Sequence, residues 1–397
     1  MFRFIDKSYR AVRDYGFAEF LKRLFVFFDR RIRPAMYYHM PGSFTASVES
    51  KKRILFVSGE PKNATSYYRC EIPANQLKAQ GWEVDIVFEE FVDQVEVKNY
   101  TVVILYRTPF VVVEGILEKA KEQGVKTVFS VDDFVYRRDL VEKLDYTKTL
   151  YPADAERLLD RADGMLELMK KVDAGIASTE YLAKDMHKYI KGEVFVNRNG
   201  IGNIVEVDER TSKNNSEKVV LGYFSGSETH DRDFEMIWSA VERTLRENDN
   251  VGLWLGGRIE ARKFKNGDLD SRIKQLPFMN REKYMKTLAK VDISLFPLED
   301  TEFNRGKSEI KFLEAGQMGT PAVVSPVGDM AELIQDGENG LLASDIGEWD
   351  QKLQKLIDGV SFREEVGKNA QKYVRKNYSL ERLGEAFSQF LGGLVTA

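Results

Sequence analysis

One segment combines a glycine, cations, hydroxyls and a distant carboxylate at the spacing an anion-binding helix start requires: Asn304-Arg-Gly306-Lys307-Ser308-Glu309-Ile310-Lys311-Phe-Leu-Glu314. The pattern predicts a phosphate-binding loop that opens a helix near Lys307. Gly306 lets the backbone turn, and the amides of Ser308, Glu309 and Ile310, at the start of that helix, have no carbonyl partner within it. Such amides, the helix dipole and the Lys307 ammonium together suit a diphosphate. Glu314 falls about two turns further on, where a carboxylate can accept hydrogen bonds from a ribose diol. The helix is expected to stop at Gly319-Thr320-Pro321, ahead of a buried strand at Ala322-Val-Val-Ser325.

Other chemistry-bearing residues sit in loops that follow apolar runs. Ser225-Gly226-Ser227-Glu-Thr229-His230 is a small-residue turn whose amides and hydroxyls fit a diphosphate, and which would serve equally as a helix N-cap. Gly256-Gly257-Arg258 is a second candidate for phosphate contact. Asp132 and Asp133, in Ser130-Val-Asp-Asp-Phe134, suit either a divalent cation or the capping of the next helix. Gly59 to Arg69 joins a permissive turn, hydroxyls, the aromatic Tyr68 and the cation of Arg69, as a ligand loop or a surface turn would.

The elements that must position these residues alternate between strand and helix. Strands are expected at 53–58, 83–87, 101–105, 126–130, 174–177 and 194–196, with a loop over 61–69 and a helix from Cys70 to Ala79. The polar stretch Thr211-Ser-Lys-Asn-Asn-Ser-Glu217 interrupts the pattern. A second series follows at 219–224, 251–255, 291–296, 322–325 and 340–343. Apolar strands alternating with helices predict doubly wound parallel sheets, so the class is α/β with two Rossmann-like domains and a hinge near 197–217. Expected boundaries are a helical segment over 1–48, a first domain over 49–205, a second over 206–377 and a last helix over 378–397.

Composition fits a two-domain globular enzyme: 397 residues, 43% hydrophobic and 31% charged. The net charge of −4 offers no basis for nucleic-acid binding. A lone cysteine, Cys70, cannot build a disulfide framework, and no secretory apolar region is evident, so a cytoplasmic location is expected. Residues 1–40 carry nine Lys or Arg against four Asp or Glu, interleaved with phenylalanines. Such a basic amphipathic stretch suits the surface of an anionic membrane or packing on the protein itself, and charged residues interrupt it before it reaches a membrane span.

Ser308 to Glu314, with Gly316 and Gly319-Thr-Pro-Ala-Val-Val-Ser325, resembles the donor-site signature of glycosyltransferase family 4, retaining enzymes of the GT-B fold. The usual signature has two glutamates separated by seven residues; here Gly306 holds the first position. Asn304, Lys307, Ser308, Lys311 and Glu314 are similar to the Asn-x-x-Lys-Ser-x-x-Lys-x-x-Glu pattern of a bacterial subset. The resemblance implies two Rossmann-like domains with a cleft between them and a last helix that crosses back to the first domain. It implies that Asn304 or Lys307 takes the sugar contact of the missing glutamate. The family usually has an Arg and a Lys after the first strand of the second domain, so Ser225, Ser227, Thr229, His230 and Arg232 would have to stabilise the leaving phosphate. Asp132 or Asp133 would stand where relatives often carry a histidine that touches donor sugar or acceptor, and Tyr68-Arg69 would face the acceptor.

The reaction so implied is glycosyl transfer from a nucleoside-diphosphate sugar to a glycan or lipid-linked acceptor, with retention and without a metal or separate cofactor. Cell-surface polysaccharide such as O-antigen or capsule is the expected product, and the inner face of the cell membrane a place of work. Two alternatives share these residues: a catalytically inactive sugar-nucleotide-binding partner, and a sugar-nucleotide epimerase, for which His39, His187 and His230 offer few acid–base groups.

Overall fold

Arg53–Ser58 (β1) and Val102–Tyr106 (β3) are buried at every position, as continuous apolar runs are when helices cover both faces of a parallel sheet. The computed structural model describes residues 52–202, 218–226, 231–265 and 267–396. With Glu83–Phe88 (β2), Lys126–Val131 (β4), Ala174–Ala177 (β5) and Val194–Val196 (β6), these strands form a six-stranded sheet of order β2-β1-β3-β4-β5-β6. A second six-stranded sheet, of order β12-β11-β10-β7-β8-β9, comprises Val219–Ser225 (β7), Val251–Gly257 (β8), Ile273–Leu276 (β9), Ile293–Phe296 (β10), Ala322–Val324 (β11) and Leu341–Leu342 (β12). The ladders from β1 to β5 and throughout the second sheet are parallel.

The strand order reverses between β1 and β3 in the first sheet and between β7 and β10 in the second. In doubly wound sheets the carboxyl ends of such strand pairs bound the ligand crevice. The expected strands are all present, shifted at most by a few residues. Unforeseen is β9, an edge strand with two exposed residues in four, too polar to register as an apolar run.

The main helices are Ile72–Ala79 (α1), Phe110–Gln123 (α2), Pro152–Met169 (α3), Asp231–Glu235 (α4), Trp238–Glu247 (α5), Arg281–Leu288 (α6), Glu302–Arg305 (α7), Ile310–Gln317 (α8), Ile346–Asp358 (α9), Val360–Asn377 (α10) and Leu380–Thr396 (α11). The loop expected over 61–69 is partly helical instead. Asn63 and Ser66 form a reciprocal capping box that starts a turn at Ala64, and Tyr67–Glu71 continues it as a π-helix into α1.

Two compact units emerge. Among the described residues, one holds 52–177, Asp185–Phe195 and 387–396; the other holds Ser178–Lys184 and the described part of Val196–Ala386. In the first, Phe387, Phe390 and Leu391 of α11 join a core with Ile54, Phe56 and Ile104. Phe195 stacks on Phe390 with ring centroids 4.8 Å apart, and Trp82 donates to Ser388. In the second, Leu221, Leu253 and Ile293 pack with Trp349 and Leu353 of α9 on one face of the sheet, and Phe312 and Leu313 of α8 pack with Val374 on the other.

Arg198, Asn199 and Ile201 are tied into the second unit through Asp329, Ser308 and Tyr378, so 196–202 groups there. The expected boundary at 205 and most of the hinge fall in 203–217, outside the described residues, as does the basic segment 1–48. Among the described residues, no helix is long and apolar enough to cross a membrane.

Candidate functional site

The stretch from Glu302 to Gln317 is two short helices rather than one. Thr301 caps α7 by accepting from the Asn304 amide at 3.1 Å, and the Lys307 amide closes it on the Asn304 carbonyl at 3.0 Å. Glu309 is the N-cap of α8, which begins at Ile310, not near Lys307. The amides without an acceptor inside the helix are therefore those of Ile310, Lys311 and Phe312, a shift from the expected 308–310. Gly306 has φ −78°, a conformation open to any residue, so turning the chain does not require it. Its carbonyl accepts from Thr179 Oγ1 at 3.3 Å, and the Ser308 hydroxyl accepts from Asn199 Nδ2 at 2.8 Å.

The end of α8 follows expectation. Gly319 is left-handed at φ 68°, its amide bonds to the Gly316 carbonyl, and the Thr320 amide bonds to the Ala315 carbonyl, the double closure of a Schellman motif. Gly316 has a packing role: a Cβ there would meet Val374 Cγ2 of α10 at 2.7 Å.

Glu314 lies one turn beyond the first amides of α8, 9% exposed, and its Oε2 accepts from the Tyr284 hydroxyl of α6 at 2.8 Å. The Lys307 ammonium rests over the Phe303 ring, 5.0 Å from its centroid. Asn304 donates from Nδ2 to the Glu299 carbonyl at 3.0 Å and to Asp233 of α4 at 3.2 Å, which ties α7 to the helix after β7. The Glu309 carboxylate is fully buried, with Arg198 NH1 3.9 Å away; burial pushes its pKa up against that guanidinium. Only the main chain of Glu309 is therefore available to a ligand.

Sequence reasoning attached no role to Lys311 beyond its place in the pattern. Its Nζ is out of contact with solvent, lacks a hydrogen-bond partner among the described residues, and lies over the rings of Tyr223 and Phe296. Burial draws its pKa down to about 8. The signal was the second lysine of the pattern, three residues before the carboxylate.

The ends of β7 and β8 meet beside this segment. Ser225, 3% exposed, accepts the Arg258 amide on its carbonyl at 3.0 Å. Gly257, at φ 85°, would bring a Cβ within 2.0 Å of that same carbonyl, so the close strand approach requires glycine. A Cβ added at Gly226 would meet nothing within 4 Å among the described residues, and the Arg258 guanidinium lies 5.7 Å from the Phe278 ring centroid. Ser227, Thr229 and His230 lie outside the described residues.

In the first unit, Asp132 is held by Tyr106 and Arg107. Its Oδ1 accepts from Tyr106 at 2.9 Å and from Arg107 Nε at 2.7 Å. Asp133 accepts from the Phe134 amide at 3.0 Å, the turn-capping role. Tyr68 and Arg69, expected on an open loop, are 5% and 1% exposed within the π-helix, because helical backbone turns them into the core. Arg107 was not foreseen. It has φ 51°, the left-handed region, at the end of β3 where the sheet order reverses, with NH1 3.5 Å from Glu60. Among the described residues, no cluster of three metal-ligating side chains occurs.

The two six-stranded parallel sheets also occur in solved structures. Over 86% of this chain and all of the other, the fold matches Anabaena HepE, solved with UDP and glucose, at TM-score 0.60 and 15% identity. It matches the sucrose-phosphate synthase of Thermosynechococcus elongatus over 87% of this chain and all of that one, at TM-score 0.63 and 12% identity. WaaG, a glycosyltransferase involved in lipopolysaccharide biosynthesis, matches over 86% of this chain and all of its own, at TM-score 0.56 and 16% identity. The fold is GT-B. Within it, residues 218–359, which carry β7, α8 and Glu314, match the family model described as Glycosyl transferases group 1. An uncharacterized glycosyltransferase of Methanocaldococcus jannaschii is 27% identical over 178 residues, 43% of each chain. The match thus spans less than half of that relative's length.

Proposed function

We propose that the protein is a retaining glycosyltransferase of family 4 type, which moves a sugar from a nucleoside-diphosphate donor to a glycan or lipid-linked oligosaccharide of the cell surface. The observation that carries this is the arrangement of α8: unbonded amides and Lys307 at its start, then the Glu314 carboxylate, oriented by Tyr284, one turn along. From Ile310 to Glu314 the helix rises about 6 Å, a span comparable to that from a nucleotide's phosphates to its ribose diol. A single rigid helix then holds both ends of the donor.

Lys307, the α8 amides and the turn of Ser225, Gly226, Ser227, Thr229 and His230 stabilise the charge that gathers on the departing diphosphate. The acceptor hydroxyl enters on the same face, and its proton passes to the departing phosphate oxygen, so no side-chain nucleophile or metal is required. Asn304, Ser308 and Arg258 complete the donor contacts. Asp132 and Asp133 belong to the acceptor side, with Asp132 held by Arg107. HepE, solved with UDP-glucose, makes uridine the first base to test, and the lipopolysaccharide role of WaaG favours a surface glycan. The basic residues of 1–40 would hold the enzyme against an anionic membrane.

A thermal-shift panel of UDP, GDP, dTDP and their sugars tests the donor site. One nucleotide should raise the melting temperature of the wild type but not of Glu314→Ala or Lys307→Ala; stabilisation by none removes the main support. Gly306, in place of the usual glutamate, favours a second reading as a sugar-nucleotide-binding partner without transferase activity. Transfer or donor hydrolysis by the purified chain separates the two.

A further inference from the structure

Lys311 occupies the second position of α8, yet its ammonium does not reach water. The residue as a whole keeps partial solvent contact, but Nζ has none and lacks a hydrogen-bond partner among the described residues. It lies 4.6 Å from the ring centroid of Tyr223, near the end of β7, and 5.3 Å from that of Phe296, the last residue of β10. Those are the two strands between which the second sheet reverses order. The ammonium therefore stands at the switch point, where a doubly wound sheet receives its ligand.

Holding a cation there is unfavourable in the empty protein. Desolvating an ammonium without hydrogen bonds is costly, and the two ring faces offset only part of that cost. The charged groups facing it are Asp233 from α4 and Glu314 from α8, which favour its charged form, and Lys307, which opposes it. None of the three is a hydrogen-bond partner of Nζ. A phosphate oxygen would supply the acceptor that this site lacks.

We propose that Lys311 is a donor-diphosphate residue, its ammonium donating to a phosphate oxygen of the nucleoside diphosphate held at the start of α8. This rests on the donor-site reading above, and it supplies a cation beside the end of β7. Because the empty site holds the lysine near the point of losing its proton, diphosphate binding at alkaline pH draws a proton from solvent to it.

Calorimetric titration of the full chain tests this with UDP, GDP or dTDP, whichever binds, and with its parent nucleoside. Runs at pH 7 and 9, in buffers of different ionisation enthalpy, count the protons. Wild type should take up roughly half a proton or more at pH 9 and almost none at pH 7, since a group titrating at about 8 is mostly neutral at 9. The phosphate's own last ionisation, at about pH 6, does not interfere. Lys311→Met should bind the diphosphate at least tenfold more weakly, without uptake, and the nucleoside unchanged. Lys311→Arg should bind without uptake at either pH. Wild-type affinity in Lys311→Met, or proton uptake persisting in Lys311→Arg, overturns the assignment while leaving the donor site standing. Failure of the wild type to bind any of the three diphosphates overturns both. A ligand-free melting temperature of Lys311→Met at or above that of wild type shows that weaker binding is not a folding defect.

Discussion

Tyr284 donates its hydroxyl to Glu314 Oε2 at 2.8 Å, joining the middle of α6 to the second turn of α8. The bond fixes a nearly buried carboxylate in one orientation before any ligand arrives. Tyr284→Phe removes that constraint while keeping the ring that packs edge-on to Phe224 with centroids 5.3 Å apart. A lost hydrogen bond to a charged acceptor, worth about 1.5 kcal/mol, corresponds to roughly tenfold in affinity. The expected result is a donor KM raised about tenfold with kcat changed less than threefold; an unchanged KM would mean that Glu314 does not hold the ribose.

Gly316 is expected to matter for stability and not for ligand contact. A side chain there meets the stiff, buried Val374 rather than open space. Gly316→Val should lower stability by about 2–3 kcal/mol, read as a fall in the urea midpoint. Nucleotide affinity per folded molecule should stay at the wild-type value.

Lys311 makes stability depend on pH with a definite sign. Its pKa falls from 10.5 to about 8 on folding, so between those values the unfolded chain binds more protons and stability rises with pH. Below about 8 the full penalty applies, on the order of 3 kcal/mol. Lys311→Met should therefore be more stable than wild type at pH 7, and the difference should shrink steadily from pH 8 to 10. Urea midpoints at four pH values check it; a constant difference would show that the lysine is not desolvated.

Arg107 separates backbone strain from side-chain pairing. With φ 51° the residue sits where a Cβ costs about 1 kcal/mol, while its guanidinium pairs with Asp132. Arg107→Gly and Arg107→Ala both lose the pair, but only glycine relieves the strain. The glycine variant should be the more stable of the two by about 1 kcal/mol. Both should retain donor binding, since the residue lies in the first unit, and both should lose acceptor turnover.

Much of the architecture could be written down from the chain alone, because apolar runs such as Ile54–Val57 and Val102–Tyr106 admit few fates other than a covered parallel strand. The helix stop at Gly319 was equally plain, since a left-handed residue before Thr-Pro is a local requirement. Lys307, Ser308 and Glu314 could be read together as one candidate segment because their spacing is carried within eight residues of chain. Where α8 begins was not, since it depends on Thr301 first winding a separate turn that ends at Gly306. Edge strand β9, the burial of Tyr68 and Arg69, and the inward carboxylate of Glu309 also escaped local pattern, as each is set by neighbours distant in sequence. The same holds for Lys311. Its type and position were in view from the start, but that its ammonium rests between Tyr223 and Phe296 follows from β7 and β10 becoming neighbours, a pairing across about seventy residues that arises only when the sheet assembles.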